Sequence, residues 1–193
     1  MNTKYKIILC DCPWTYNDKK NNDPKMGGIT YPVMSLVDIK ELPVNKIADK
    51  DCALFFWATM PLLQKALDVI KAWGFSYRTC AFVWVKQNPK GYGIYSGLGH
   101  WVNGNAELCL FAKKGKPVRQ AKNVKQIILA PRSRHSQKPK EVHTRIVNLI
   151  GDLPRIELFA REKTVGWTSV GFDINGEDIR DSLKNIIKKN VST

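Results

Sequence analysis

The feature that most constrains the fold is a change of period between residues 52 and 86. Cys52-Ala53-Leu54-Phe55-Phe56-Trp57 is an unbroken apolar run, as expected of a strand buried on both faces. Apolar residues then recur at helical spacing through Leu62, Ala66, Leu67, Val69, Ile70 and Trp73, and Gly74 follows as a C-cap. Thr79–Lys86 resumes a strand pattern. Strand, helix and strand in succession predict a crossover unit and a parallel sheet. Further strands are expected at Ile7–Cys10, Leu108–Ala112 and Arg155–Phe159. Helices are expected over Ser35–Val44, from Pro139 (at the first helical position) to Ile150, and along the tail face of Ile179, Leu183, Ile186 and Ile187. Trp57 and Trp73 read as core. The expectation is one α/β domain spanning 1–193, with enough chain to bury a core.

In open α/β sheets, ligands bind outside the carboxyl ends of the strands. The first apolar run, Ile7-Ile8-Leu9-Cys10, ends in Asp11-Cys12-Pro13-Trp14. Asp11 offers an acceptor, Pro13 stiffens a backbone whose carbonyls can accept from a ligand, and Trp14 offers a flat face. Such a group suits a planar ring bearing an amine. It equally suits a strand end with an exposed acid and a core tryptophan. Two glycine- and asparagine-rich stretches, 15–30 and 87–104, read as substrate-side loops.

Charge narrows the partner. The chain has 31 Lys and Arg against 17 Asp and Glu, a net charge of +14, which points to a polyanion such as nucleic acid. Ten of those cations lie in 113–140, which contains no acid. That segment, beginning at Lys113, Lys114 and Lys116, is expected to contact phosphates near the site. The five cysteines (10, 12, 52, 80 and 109) show no metal-ligand spacing and read as buried reduced thiols, so no metal is expected. No apolar stretch is long enough to span a bilayer. These features predict a protein of the cytoplasm, bacterial or phage-encoded, with no membrane partner.

The tetrad at 11–14 resembles the Asp-Pro-Pro-Trp motif of adenine-N6 methyltransferases typified by the catalytic subunit of the messenger-RNA adenosine methyltransferase. Further blocks follow in that family's order: Tyr31-Pro32-Val33-Met34-Ser35, Leu54–Trp57, Trp73-Gly74-Phe75, Trp84-Val85-Lys86, Gly99-His100-Trp101 with Glu107, Ser136–Pro139, and Glu157–Arg161 with Gly166-Trp167. The resemblance implies a Rossmann-like S-adenosylmethionine-dependent fold with circularly permuted motif order, a mostly parallel sheet and helices on both faces. It implies Asp11, Cys12, Pro13 and Trp14 as catalytic residues, with Asp11 and the Cys12 carbonyl accepting from the target amine. It implies Lys138 and Arg161 at the donor's carboxylate, Asp173 at its ribose, and Lys163 and Thr164 beside them. Tyr31, Trp101, Asn103 and Glu107 are implied on the substrate side. Three departures stand out: Cys12 replaces a proline, Lys163-Thr164 replace His-Asn, and Phe172 replaces an asparagine. The expected activity is methylation of adenine N6 in DNA, using S-adenosylmethionine and no metal, by a monomer or a homodimer. RNA methylation and a non-catalytic nucleic-acid-binding relative are the alternatives.

Overall fold

The computed structural model describes residues 4–15, 32–97, 99, 101–132 and 137–191. Seven strands form one sheet: β1 (Tyr5–Cys10), β2 (Ala48–Ala58), β3 (Ser76–Gln87), β4 (Ala106–Lys114), β5 (Ile127–Pro131), β6 (Arg155–Leu158) and β7 (Thr168–Val170). Their spatial order is β5-β3-β4-β2-β1-β6-β7. β1 pairs in parallel with β2 and β6, β6 with β7, and β3 with β5. β4 alone among these runs the other way, antiparallel to both β2 and β3.

The helices are α1 (Leu36–Glu41), α2 (Val44–Ile47), α3 (Leu63–Ala72), α4 (Glu141–Ile150), α5 (Phe172–Asn175) and α6 (Ile179–Val191). Ser35 caps α1 by accepting from the Asp38 N–H at 3.1 Å, which satisfies a donor the helix cannot. The helix expected from Ser35 ends before Pro43, as α1 does at Glu41, and the separate turn α2 follows that proline. Pro139 precedes α4 rather than opening it, since Lys140 is the cap. None of the described helices is long and apolar enough to cross a membrane.

The unbroken apolar runs follow from two covered faces. Ile8, Cys10, Leu54 and Phe56 point into a layer shared with α1, α2, α3 and α6, through residues such as Ile39, Val44, Val69 and Leu183. Ile7, Leu9, Ala53, Phe55 and Trp57 point the other way, toward Val142, Ile146 and Ile150 of α4. Helices therefore lie on both faces, as the resemblance implies. Trp73 is wholly inside, and its indole N–H donates to the Ile39 carbonyl at 2.8 Å, tying α3 to α1. Truncating a buried Trp or Phe of this kind to Ala costs about 3–5 kcal/mol.

The direction of β4 departs from expectation. β3 and β4 form a hairpin whose connecting stretch, 88–105, both leaves and re-enters at the carboxyl edge of the parallel strands. β4 then carries the chain to the opposite end of the sheet, where Lys113 pairs with Ala53 and Ser76.

Candidate active site

Strand register assembles the site. Cys10 pairs with Phe56 on one side and Leu158 on the other, so Asp11, Trp57 and Phe159 come level one residue later. Ala58 pairs with Leu108 and Trp84 with Glu107, which brings Thr59, Glu107 and Lys86 to the same edge. Lys138 arrives from the segment ahead of α4. Four strands and one loop thus deliver side chains to a cleft of about 630 Å³. Its walls are Asp11–Trp14, Trp57–Thr59, Glu107, Lys138, Phe159–Arg161 and Phe172-Asp173. A neighbouring chamber of about 470 Å³ shares Asp11, Trp57, Lys138, Phe159 and Arg161 and opens toward His143 and Glu157.

The electrostatics are an alternating chain. Lys86 Nζ lies 2.5 Å from Glu107 Oε1, Lys138 Nζ lies 3.2 Å from Glu107 Oε2, and Lys138 Nζ donates to Asp11 Oδ2 at 2.7 Å. Side-chain exposure is 10% for Lys138, 8% for Glu107 and 27% for Asp11. Burial works against the charge on Lys138, but Asp11 and Glu107 outweigh it and hold the ammonium above its ordinary range. Burial also opposes the charge on Glu107, and there Lys138 and Lys86 prevail, keeping the carboxyl below its usual value. For Asp11 burial wins over Lys138, so its carboxyl sits above 3.8. The close lysine works against that rise by favouring the charged form.

Backbone geometry frames the donor side. Phe159, directly after β6, has φ +60° and is the one described non-glycine residue in the left-handed region. Such strain concentrates where a turn must present groups to a ligand. A Cβ on Gly171 would stand 2.5 Å from the Ala160 carbonyl oxygen and 2.7 Å from its nitrogen, so only glycine lets β7 close on this turn. Asp173 then sits in the first turn of α5 at the cleft wall.

The predicted residues divide. Asp11, Cys12, Pro13, Trp14, Glu107, Lys138, Arg161 and Asp173 share the cleft, and Thr164 lines the adjoining chamber. Lys163 is exposed and lines neither space. The Cys12 carbonyl already accepts the Trp14 N–H at 3.0 Å, which leaves its second lone pair for a ligand. Trp14 is mostly inside, 6.0 Å from Phe56, with the remainder on the cleft wall. Lys138 has a role that the sequence reading did not give it, pairing Asp11 with Glu107. Trp101 is 98% exposed and Asn103 is exposed as well, both on the hairpin connection outside the cleft lining. Tyr31, and all of the 15–30 loop except Thr15, lie outside the described residues.

Lys113, Lys114 and Lys116 require a correction. Six residues of β4 separate Lys113 from Glu107, about 20 Å at the rise of an extended strand. They lie at the end of the sheet opposite the cleft because β4 is antiparallel. There Lys114 Nζ donates to the Asn45 carbonyl and the Lys116 N–H to Asp51.

Sequence reasoning passed over Trp57, Thr59, Lys86, His143 and Glu157. Trp57 is core and wall at once, with Lys138 Nζ 5.7 Å from its ring centroid. The Thr59 hydroxyl is buried on the cleft wall with no hydrogen-bond partner among the described residues, and it can both donate and accept. Thr59 is the first polar residue after the β2 run, and that was a readable signal. His143 Nε2 lies 2.8 Å from Glu157 Oε2 with its ring edge-on to Trp167.

Comparison with known proteins agrees with this arrangement. The MT-A70 family model matches residues 5–173. The chain is similar to the Type II methyltransferase M.MunI of Mycoplasma sp, at 33% identity over 97% of this chain and 85% of the relative. It is also similar to the N(6)-adenosine-methyltransferase MT-A70-like protein of Drosophila melanogaster, at 29% identity over 90% of this chain and 27% of that protein. The N(6)-adenosine-methyltransferase catalytic subunit METTL3 of Homo sapiens is 28% identical over 92% of this chain and 30% of its own length. Both the match along the chain and the cleft at the end of β1 lead to one assignment: the chain belongs to the MT-A70 family of S-adenosylmethionine-dependent adenine-N6 methyltransferases.

Proposed function

We propose that this chain methylates adenine N6 in DNA, with Asp11 acting on the target amine and S-adenosylmethionine bound against Phe159, Arg161 and Asp173. The observation that carries the reading is the Asp11 carboxylate, fixed on Lys138 at 2.7 Å inside the cleft. The cleft's residues fit the donor: Phe159 and Phe172 give apolar walls, Asp173 suits a ribose diol, and Arg161 can pair with a carboxylate. The unpartnered Thr59 hydroxyl fits a polar ligand atom. When bound, the donor supplies a sulfonium that makes its methyl electrophilic.

This chain's task is the nucleophile. An adenine amine is planar because its lone pair is shared with the ring. Acceptors on its N–H groups help the nitrogen become tetrahedral. Asp11 Oδ2 holds Lys138, and Oδ1 carries no hydrogen bond from the described residues, so it can take one amine proton. The Cys12 carbonyl can take the other. A fixed carboxylate of this kind stabilises charge that develops only in the transition state. Unstacking the base costs a few kcal/mol in a duplex, so single strands or distorted sites are the easier substrates.

DNA is favoured over RNA by the likeness to the Type II methyltransferase, at 33% identity against 29% and 28% for the adenosine-named relatives. The test is incubation with methyl-labelled donor and separate DNA and RNA pools, followed by digestion and mass analysis of nucleosides. N6-methyldeoxyadenosine is the expected product. Label confined to N6-methyladenosine overturns the DNA assignment, and no label in either pool overturns the activity.

A further inference from the structure

The basic run that begins at Lys113 does not reach the cleft, yet it is not spread over an unbroken surface. At the far end of the sheet, on the α4 face, it borders a separate cavity of about 450 Å³. Phe82, Phe111, Leu149 and Ile150 give it an apolar floor, and Arg78, Lys113 and Arg119 contribute three cations. Its lining contains no acid. Among the described residues, no ion pair joins any of the three cations to a carboxylate. The floor is aromatic: Phe111 lies 5.4 Å from Phe55, which stacks on Phe82 at 6.0 Å and 15°.

These features select the occupant. Three cations lining one cavity, with no counter-charge among the described residues, favour an anion. A second copy of this chain, itself at +14, would bring more positive charge to the rim. An inorganic anion would leave the half-buried Phe111 face unused. A flat ring bearing a phosphate satisfies both parts, by stacking on the floor and pairing at the rim. We propose that this cavity is a second nucleotide-binding site, with the phosphate on Arg78, Lys113 and Arg119 and the base against Phe111. It is a different place from the cleft, since Glu107 and Lys113 are about 20 Å apart along β4. A free nucleotide and a nucleotide within a strand share this chemistry. The inference stands on the cavity and not on the proposed reaction.

The test follows backbone amide shifts of the full chain titrated with thymidine 5′-monophosphate, thymidine and 5′-phosphorylated tetrathymidylate. The monophosphate is expected to move Arg78–Phe82 and Phe111–Arg119 and leave Asp11–Trp14 in place, with thymidine at least about tenfold weaker. Lys113→Glu with Arg119→Glu should weaken the monophosphate about tenfold or more. The milder Arg119→Gln gives a smaller loss in the same direction and serves if the double variant does not fold. Tighter binding of the tetramer than the monophosphate assigns the site to a strand, and equal binding assigns it to a free nucleotide. Unmoved far-end amides, equal affinity for thymidine, or no loss in the charge variants overturns the proposal. Because the readout is local to the cavity, it stands or falls separately from methyl transfer.

Discussion

Lys138→Met removes the central cation of the chain Lys86–Glu107–Lys138–Asp11 and keeps most of the side-chain volume. Two carboxylates are then left without the ammonium that lay 2.7 Å from one and 3.2 Å from the other. Breaking a buried pair by removing one partner costs about 3–5 kcal/mol, because a buried charge is left uncompensated. Glu107 retains Lys86 and Asp11 is 27% exposed, so the lower end of that range, about 3 kcal/mol, is expected. With a urea m-value of about 2 kcal/mol/M, the unfolding midpoint should fall by about 1.5 M at pH 7.5. The pH dependence has a definite sign. Without the cation both carboxyls bind protons more readily in the folded variant than in the folded wild type. The variant therefore gains stability relative to wild type as pH falls, and its deficit at pH 5 should be smaller than at pH 7.5. Paired urea titrations at the two pH values measure this. A deficit below about 1 kcal/mol, as expected of an exposed pair, or one that is equal at both pH values, refutes the buried-network account.

Asp11→Asn should lower single-turnover methyl transfer by about 10²-fold or more while circular dichroism stays unchanged, because a neutral amide polarises an N–H less than a carboxylate does. Burial raises the Asp11 carboxyl, and Lys138 only partly offsets it, so the wild-type rate should fall as pH drops toward a limb lying above 3.8. That limb should be missing in Asp11→Asn when rates are followed across pH. Gly171→Ala drives a methyl into the Ala160 backbone and should cost about 1–3 kcal/mol, with weaker donor binding by calorimetry because Phe172 and Asp173 follow directly. Thr59→Val should leave urea stability within about 1 kcal/mol of wild type, since the hydroxyl has no protein partner to lose, and should weaken donor or substrate binding if a ligand group meets it.

Much of this was readable from the chain. The switch from strand to helix period located β2, α3 and β3, and the acid after the first apolar run marked the cleft. Strand direction was not readable. An apolar run such as Leu108–Ala112 packs equally well up or down, and only pairing with β2 and β3 decides. That one reversal sent Lys113, Lys114 and Lys116 to the far end. Trp57 and Thr59 were missed because a strand buried on both faces has no alternation to show which side chain meets a ligand. The resemblance implied Lys138 at the donor; its pairing with Asp11 and Glu107 was not legible, because those partners are distant in sequence and adjacent only after folding.

The reversed strand also fixes both ends of one connection at the cleft edge. The 88–105 connection is a hairpin tip, and its neck is closed by the ion pair between Lys86 and Glu107, the residues flanking it. A tip tethered this way can lengthen, shorten or change composition while both ends stay pinned at the cleft. Doubling the length of a flexible loop adds only about 0.6 kcal/mol of closure entropy. The connection can therefore vary in length and composition, like an interchangeable cartridge, while the strands beneath it keep the cleft unaltered.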